Sequence, residues 1–91
     1  MHIIDNKIYH HAEKLGWIEG SKIKAKDEKL MGYFDAKHVY GPDMHQITYV
    51  ENETLRFRNG QSSISLEKVN EAVEGAYPLP TKCAVYVFFN D

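Results

Sequence analysis

The chain has 91 residues, a formal net charge of −2, and 43% hydrophobic and 12% aromatic residues. These values are typical of one small folded domain and exclude a wholly disordered chain or two ordinary domains. The single cysteine, Cys83, excludes an internal disulfide framework. The longest apolar run, residues 83–89, is far shorter than the roughly 20 residues of a membrane span. With an acid close to the start, no signal peptide is predicted, and we expect a cytoplasmic protein without membrane contact.

The first element is predicted to be a helix over residues 6–15. Asp5 stands where an N-cap residue would be. Ile8, Ala12 and Leu15 follow at the spacing of one helix face.

The next elements are predicted to be strands because the hydrophobic period changes from helical spacing to strict alternation. Residues 22–26 alternate lysine with apolar residues, and residues 30–40 read as a second, longer strand. Gly32 within it indicates a bulge or a close backbone approach. Residues 45–51 and 54–58 then form a predicted hairpin around Asn52 and Glu53.

The last third of the chain is predicted to contain a turn, a strand, a helix and a strand. Asn59–Gly60 favours a type I′ turn, with a short strand over residues 61–64 after it. Ser65 is a good N-cap for a helix over residues 66–74. Residues 83–89 are apolar on both faces, which is typical of an interior strand.

These elements predict a single α+β domain over residues 1–91 with the order α-β-β-β-β-α-β. The short turns favour a mostly antiparallel sheet of four to five strands, with one or two helices packed on it. No internal repeat is expected.

No catalytic, metal or cofactor motif is recognised, so none of these sites is predicted. The five histidines match no zinc spacing, and the six glycines form no phosphate-binding loop. Cys83 opens the most apolar segment, where a buried, inert thiol is expected.

A small metal-independent nuclease or hydrolase is the weakest functional alternative. It needs a general base, a general acid and a cation for phosphate. The residues of suitable type around the predicted hairpin are His38, His45, Tyr49, Arg56 and Arg58.

Two charged surfaces are candidate binding sites. The first is basic, and would bind nucleic acid if its two strands share a sheet face, with Tyr33 or Tyr49 available for stacking. It comprises Lys22, Lys24, Lys26, Arg56 and Arg58. The opposing interpretation is that lysines on an edge strand only guard against aggregation.

The second charged surface is an acidic ridge formed by Glu67, Glu71 and Glu74. Their i, i+4 and i+7 spacing places them on one side of the second predicted helix. Such a ridge is either a solvated face or a surface that docks on a basic partner.

These observations favour a small non-enzymatic binding protein that acts by docking on another protein. Its size would suit a regulator or inhibitor encoded by a bacterium, phage or mobile element. The alternative is a nucleic-acid-binding module that uses the basic strands. The sequence leaves the partner's identity and any homo-oligomer open.

Overall fold

Nine short strands form one antiparallel sheet in the computed structural model, which describes residues 1–58, 60 and 62–90. Each strand pairs with the next in chain order. The strands are β1 (His2–Ile4), β2 (Lys7–His10), β3 (Glu13–Glu19), β4 (Lys22–Ala25), β5 (Leu30–Phe34), β6 (His38–Tyr40), β7 (Gln46–Glu51), β8 (Thr54–Phe57) and β9 (Ser63–Ser65). Two helices, α1 (Leu66–Ala72) and α2 (Leu79–Phe89), follow the sheet. The predicted antiparallel sheet with two helices is confirmed, but the predicted strand number and helix order are wrong.

The sheet is built from a repeated unit, so the expectation of no internal repeat is wrong. Residues 16–19 (Gly-Trp-Ile-Glu), 32–35 (Gly-Tyr-Phe-Asp) and 48–51 (Thr-Tyr-Val-Glu) are equivalent and lie sixteen residues apart. Each segment lies at the end of the second strand of a hairpin and leads into a tight turn. Because equivalent residues face the same side of the sheet, one pattern of buried and exposed side chains recurs along it.

A β-bulge accompanies each copy of the unit. The strand pairings skip Leu15, Met31 and Ile47, each directly before the equivalent Gly or Thr. An extra residue on one strand bends it and increases the local twist. The three bulges therefore curve the sheet at regular intervals.

The inner face of the sheet holds the apolar core. Ile8, Ile23, Val39 and Leu55 recur at fifteen or sixteen residues and are at most 2% exposed. Helix α2 covers this face and contacts β5 and β6. The core therefore lies between one face of the sheet and the two helices.

Glycines at the repeated inner positions allow the C-terminal phenylalanines to approach the sheet. A side chain at Gly32 would overlap the ring of Phe88 and the Tyr40 carbonyl oxygen on the neighbouring strand. Gly16 is similarly close to the Phe89 ring. The expected close approach at Gly32 is thus confirmed, and a bulge lies next to it.

The interior strand predicted for residues 83–89 is wrong, because this segment belongs to α2. A short run that is apolar on every side has no period, so a buried strand and a buried helix look alike in the sequence. Pro80 lies in the first turn of α2, where its missing N–H costs nothing. Cys83, Ala84 and Val85 are buried, so an interior position holds although the element differs.

The helix predicted over residues 6–15 is also wrong. That segment forms the β2–β3 hairpin, which turns at His11 with a φ of 58°. Asp5 and Asn6 have positive φ and form the preceding turn, so Asp5 is not an N-cap. Ile8 is fully buried opposite Gly16, and this packing overrides the helical spacing.

The remaining boundaries agree in part. The strand predicted from Lys22 corresponds to β4, and the predicted hairpin corresponds to β7 and β8. Its turn residues Asn52 and Glu53 have φ of 52° and 58°, which fits a type I′ turn. The strand predicted over residues 30–40 is two strands, β5 and β6, because the chain turns at Asp35.

The second predicted helix exists but is shorter. Ser65 is its N-cap and accepts a hydrogen bond from the Lys68 N–H at 3.2 Å. The helix ends at Ala72 instead of residue 74. Asn59 and Gln61, on which the predicted turn and strand start depend, lie outside the described residues.

The N-terminus is bonded to the segment that follows α1. The Ile3 N–H donates to the Glu74 carbonyl at 2.8 Å, and the Glu74 N–H donates to the Met1 carbonyl at 2.9 Å. The Met1 amino group donates to the Ala72 carbonyl at 3.0 Å. These bonds satisfy part of the free edge of β1.

Replacing Thr48 with valine is expected to stabilise the protein by about 1 kcal/mol. Thr48 is fully buried, and its hydroxyl has no hydrogen-bond partner among the described residues. Valine has nearly the same shape and removes this cost. Chemical denaturation measures the change, with exposed Thr54→Val as a comparison at a partly exposed site whose hydroxyl is bonded. A loss of stability in Thr48→Val would mean that the hydroxyl is satisfied.

Candidate binding face

The outer face of the sheet carries aromatic side chains at equivalent positions of the repeat. Trp17, Tyr33 and Tyr49 each follow a buried inner-face residue, so the alternation of the strand directs them to the opposite side. All three are partly exposed. We call these residues, together with Tyr40, the aromatic face.

Cations lie directly across the strands from these rings. Trp17 on β3 is paired with Lys7 on β2 and with Lys24 on β4. Tyr33 on β5 is paired with Lys22 on β4. Directly paired residues on one sheet face have side chains within contact range. Lysine therefore flanks the first two aromatic positions.

The third aromatic position repeats this arrangement with different residues. Tyr49 on β7 is paired with His38 on β6 and with Arg56 on β8. His38 and Tyr40 share the outer face of β6, and Tyr40 is paired with Tyr33. These pairs connect the three aromatic positions into one continuous surface.

Two further cations lie over aromatic rings. The Lys14 ammonium is 5.2 Å from the Trp17 ring centroid, and the Arg58 guanidinium carbon is 5.7 Å from that of Tyr49. Both distances are within the range of a cation–π contact. The contacts restrain the two rings, which lowers the entropy lost when a partner binds.

Acidic residues of the repeat neutralise part of this positive charge. Glu19 lies 3.2 Å from the Lys24 ammonium, and Glu51 lies 3.3 Å from Arg56 Nε. The Arg56 N–H is not aligned for a hydrogen bond at that distance, so the contact is electrostatic only. A hydrogen bond from Trp17 Nε1 at 2.6 Å, followed by the contact with Lys24, lowers the pKa of Glu19.

The remaining acidic position of the repeat is Asp35, which stabilises a turn and does not pair with a lysine or arginine of the described residues. Its carboxylate accepts hydrogen bonds from the backbone N–H groups of Lys37 and His38 at 2.9 and 2.8 Å. It also accepts one from the Tyr40 hydroxyl at 2.8 Å. Burial raises the pKa of Asp35, but these hydrogen bonds outweigh it and lower the pKa to about 2. The same contact raises the pKa of Tyr40.

Replacing Asp35 with asparagine is expected to reduce the free energy of unfolding near pH 7 by about 1 kcal/mol, since partial solvent exposure weakens the contacts. The folded-state pKa is below the ordinary value of 3.8. The carboxylate therefore contributes stability above about pH 4, and this is lost as the pH falls towards 2. Denaturation at pH 7 and pH 3 measures both effects. Asp27→Asn, in a turn with one such bond, is the control. An unchanged acid profile in Asp35→Asn would contradict this role.

The structure brings most of the predicted basic residues to one face. Lys22, Lys24 and Arg56 lie on the outer face, and Arg58 lies just beyond β8 against Tyr49. Lys26 lies past the end of β4 and forms a 3.2 Å ion pair with Glu13.

The residues considered for a nuclease are brought together only in part. His38, Tyr49 and Arg56 are neighbours on β6, β7 and β8. His45 lies beyond the other end of β6, where its carbonyl bonds to Gly41. His38 Nδ1 lies 3.2 Å from Asp35. His38 and His45 therefore lie towards opposite ends of β6.

The structure does not assemble a metal site or an activated thiol from the described residues. No group of three or more metal-binding side chains occurs within the part of the chain that the structure describes. Cys83 is buried, and burial raises its pKa to about 11. A protonated thiol is a poor nucleophile at neutral pH.

The acidic ridge is divided between two elements. Glu67 and Glu71 are exposed on α1, one turn apart. Glu74 is exposed as well, but it lies past the helix, where its backbone bonds to β1. Only the first two glutamates therefore share a helix face.

The sequence analysis missed two members of the aromatic face, Trp17 and Tyr40, and also Lys7, which is paired with Trp17. The predicted helix over residues 6–15 left Trp17 just beyond its end, and no strand was predicted there. The sixteen-residue spacing of Trp17, Tyr33 and Tyr49 could have revealed the relationship.

Comparison with protein-family models, curated proteins and solved structures gives no match. Among the described residues, neither helix combines the length and hydropathy needed to cross a membrane. The functional interpretation therefore depends on the geometry of the aromatic face.

Proposed function

We propose that this chain is a non-enzymatic binding protein that docks on another protein through its aromatic face. The observation that carries the proposal is the placement of Trp17, Tyr33 and Tyr49 at equivalent positions of one partly exposed sheet face. Tryptophan, tyrosine and arginine are the residues most enriched among those that dominate protein–protein binding energy. A small protein of this kind would act as a regulator or inhibitor by covering part of its partner's surface.

The charge distribution supports a protein partner over a phosphate backbone. Lys24 and Arg56 already have carboxylates beside them, from Glu19 and Glu51. A nucleic acid would place phosphates close to these acids and lose part of its electrostatic attraction. A protein partner can provide both hydrogen-bond donors and acceptors, so it can use both members of each ion pair.

Nucleic-acid binding is the second candidate function, and one observation favours it. Lys22, Lys24 and Arg56 share the outer face with Tyr33 and Tyr49, as a surface for stacked bases and phosphates requires. Micromolar or tighter binding of a generic single-stranded oligonucleotide at roughly 150 mM salt would favour this function over protein docking.

Capture of host proteins on the immobilised chain tests the docking proposal. The partner of interest is a protein that is still captured after nuclease treatment of the lysate. Tyr33→Ser and Tyr49→Ser are each expected to weaken its capture at least tenfold, because each removes a central aromatic contact. Met44→Ser is the matched control, since Met44 is 57% exposed and lies in the β6–β7 loop outside the strands that carry Trp17, Tyr33 and Tyr49. Thermal melts confirm that each variant is folded. Equal capture by all variants would contradict the proposal.

A fourth variant, Glu71→Lys, separates the aromatic face from the acidic ridge. Its site is exposed on α1, so the variant should be as stable as the original or slightly more stable because it removes repulsion with Glu67. If the aromatic face is the docking surface, capture is retained. Loss of capture in Glu71→Lys alone would transfer the binding role to the acidic ridge and a basic partner surface.

A further inference from the structure

A cleft of about 310 Å³ lies at one end of the aromatic face. It is lined by residues of the β1–β2 turn, of the start of β2 and of β3, including Asn6, Lys7, Lys14 and Trp17. This volume is at the lower end of the roughly 300–1,000 Å³ typical of ligand sites and can receive one or two side chains. Trp17 is therefore both a member of the face and one wall of a recess.

One wall of the cleft is fixed from outside the sheet. The Tyr77 hydroxyl accepts a hydrogen bond from the Asn6 N–H at 2.6 Å and donates one to Asn6 Oδ1 at 2.9 Å. Trp17, which also lines the cleft, donates a hydrogen bond from Nε1 to Glu19 at 2.6 Å. The recess is thus formed before a partner arrives, which reduces the cost of ordering it.

The charge of the cleft selects the chemistry of an occupant. Lys7 and Lys14 both line it, and neither has an ion-pair partner among the residues that the structure describes. Asp5 is the one acid among the described residues of the lining, which therefore carries a surplus of positive charge. A side chain that combines an apolar stem with a carboxylate would complement both the indole and the two ammonium groups.

We propose that this cleft is the anchor site of the docking surface and that it binds an acidic peptide segment of the partner. The inference rests on the proposed docking function and deepens it. The carboxylates of the segment lie against Lys7 and Lys14, while its apolar atoms pack on the Trp17 ring. The remaining aromatic face then contacts the partner beyond the anchor.

Trp17 is the only tryptophan in the chain, so its fluorescence reports directly on the cleft. The probe is a synthetic peptide of four glutamates around one leucine, titrated into the full chain at low salt. We expect a saturable change in Trp17 emission that weakens as salt is added. The same peptide with glutamine in place of glutamate should give no saturable change. An equal response to both peptides would overturn the charge-based proposal.

A variant pair tests the two lysines. The double variant Lys7→Gln/Lys14→Gln should bind the acidic peptide at least tenfold more weakly, as measured from the titration midpoint. Lys29→Gln is the control because Lys29 is exposed in the β4–β5 turn. Unchanged affinity in the double variant, or tighter binding of an oligothymidine than of the acidic peptide, would overturn the proposal. If capture still depends on Tyr33 in that case, docking stands and only the acidic anchor is lost.

Discussion

Gly32→Ala is expected to lower the melting temperature by at least about 12 °C, corresponding to a loss of roughly 3 kcal/mol in a chain of this size. A methyl group at this position would overlap the Tyr40 carbonyl oxygen on the adjacent strand and the Phe88 ring on α2. Relief requires either separation of β5 from β6 or displacement of α2. Both changes disturb the core, and a domain of this size has little stability in reserve.

Gly20→Ala is the control for this substitution. Gly20 has a φ of +59°, and no atom of the described residues lies within 4 Å of an added methyl group. The Gly20→Ala variant should therefore lose only about 1 kcal/mol of unfolding free energy, because of backbone strain. Thermal melts of the two variants separate steric overlap from loss of glycine flexibility. Equal losses in both would show that α2 does not pack closely on the sheet at Gly32.

Val85→Asp is expected to abolish folding. Val85 is fully buried on α2, and an unpaired carboxylate there costs several kcal/mol against a small total stability. Val87→Asp should cost less, because Val87 is only partly buried. Ala76→Asp, at an exposed site between the helices, is the control for the added charge. Circular dichroism and a denaturant titration measure all three, and a cooperative Val85→Asp transition would contradict the position of α2.

The parts of the fold that the sequence predicted depend on local signals. Asn52 and Glu53 separate two alternating segments, and the structure forms that hairpin with both residues at positive φ. Ser65 precedes an apolar stripe containing Val69, and it caps α1 as expected. In both cases the deciding interactions lie within a few residues of one another.

The parts that failed depend on contacts that are distant in sequence. Ile8 and Leu15 fit a helix locally, but Ile8 lies opposite Gly16, and the Phe89 ring lies close to that glycine. By local pattern alone, residues 83–89 fit a buried strand as well as a buried helix. They form part of α2 because the curved sheet provides a surface on which a helix can bury this apolar run. Neither the pairing of Ile8 with Gly16 nor the packing of α2 on the sheet can be predicted from local hydrophobic spacing.

The sequence analysis identified cations of this face with Tyr33 or Tyr49 beside them, but it did not include Trp17 or predict one continuous aromatic surface. Lys22, Lys24 and Arg56 were identified because they alternate with apolar residues within their own strands. Their pairing with Trp17 and Tyr33 depends on strand register, which the bulges shift by one residue. The repeat provides this register, and it is visible in the sequence only when segments sixteen residues apart are compared.

Site-specific photocrosslinking tests most directly whether the aromatic face docks on a protein. A benzophenone amino acid is placed at position 33 in one sample and at position 71 in another, and each is irradiated in host lysate with and without prior nuclease treatment. Position 33 lies at the centre of the aromatic face, and position 71 lies on α1. We expect one discrete protein adduct from position 33, which excess unmodified chain suppresses, and none from position 71. An adduct from position 71 alone, or adducts that nuclease treatment removes, would contradict the proposed docking surface.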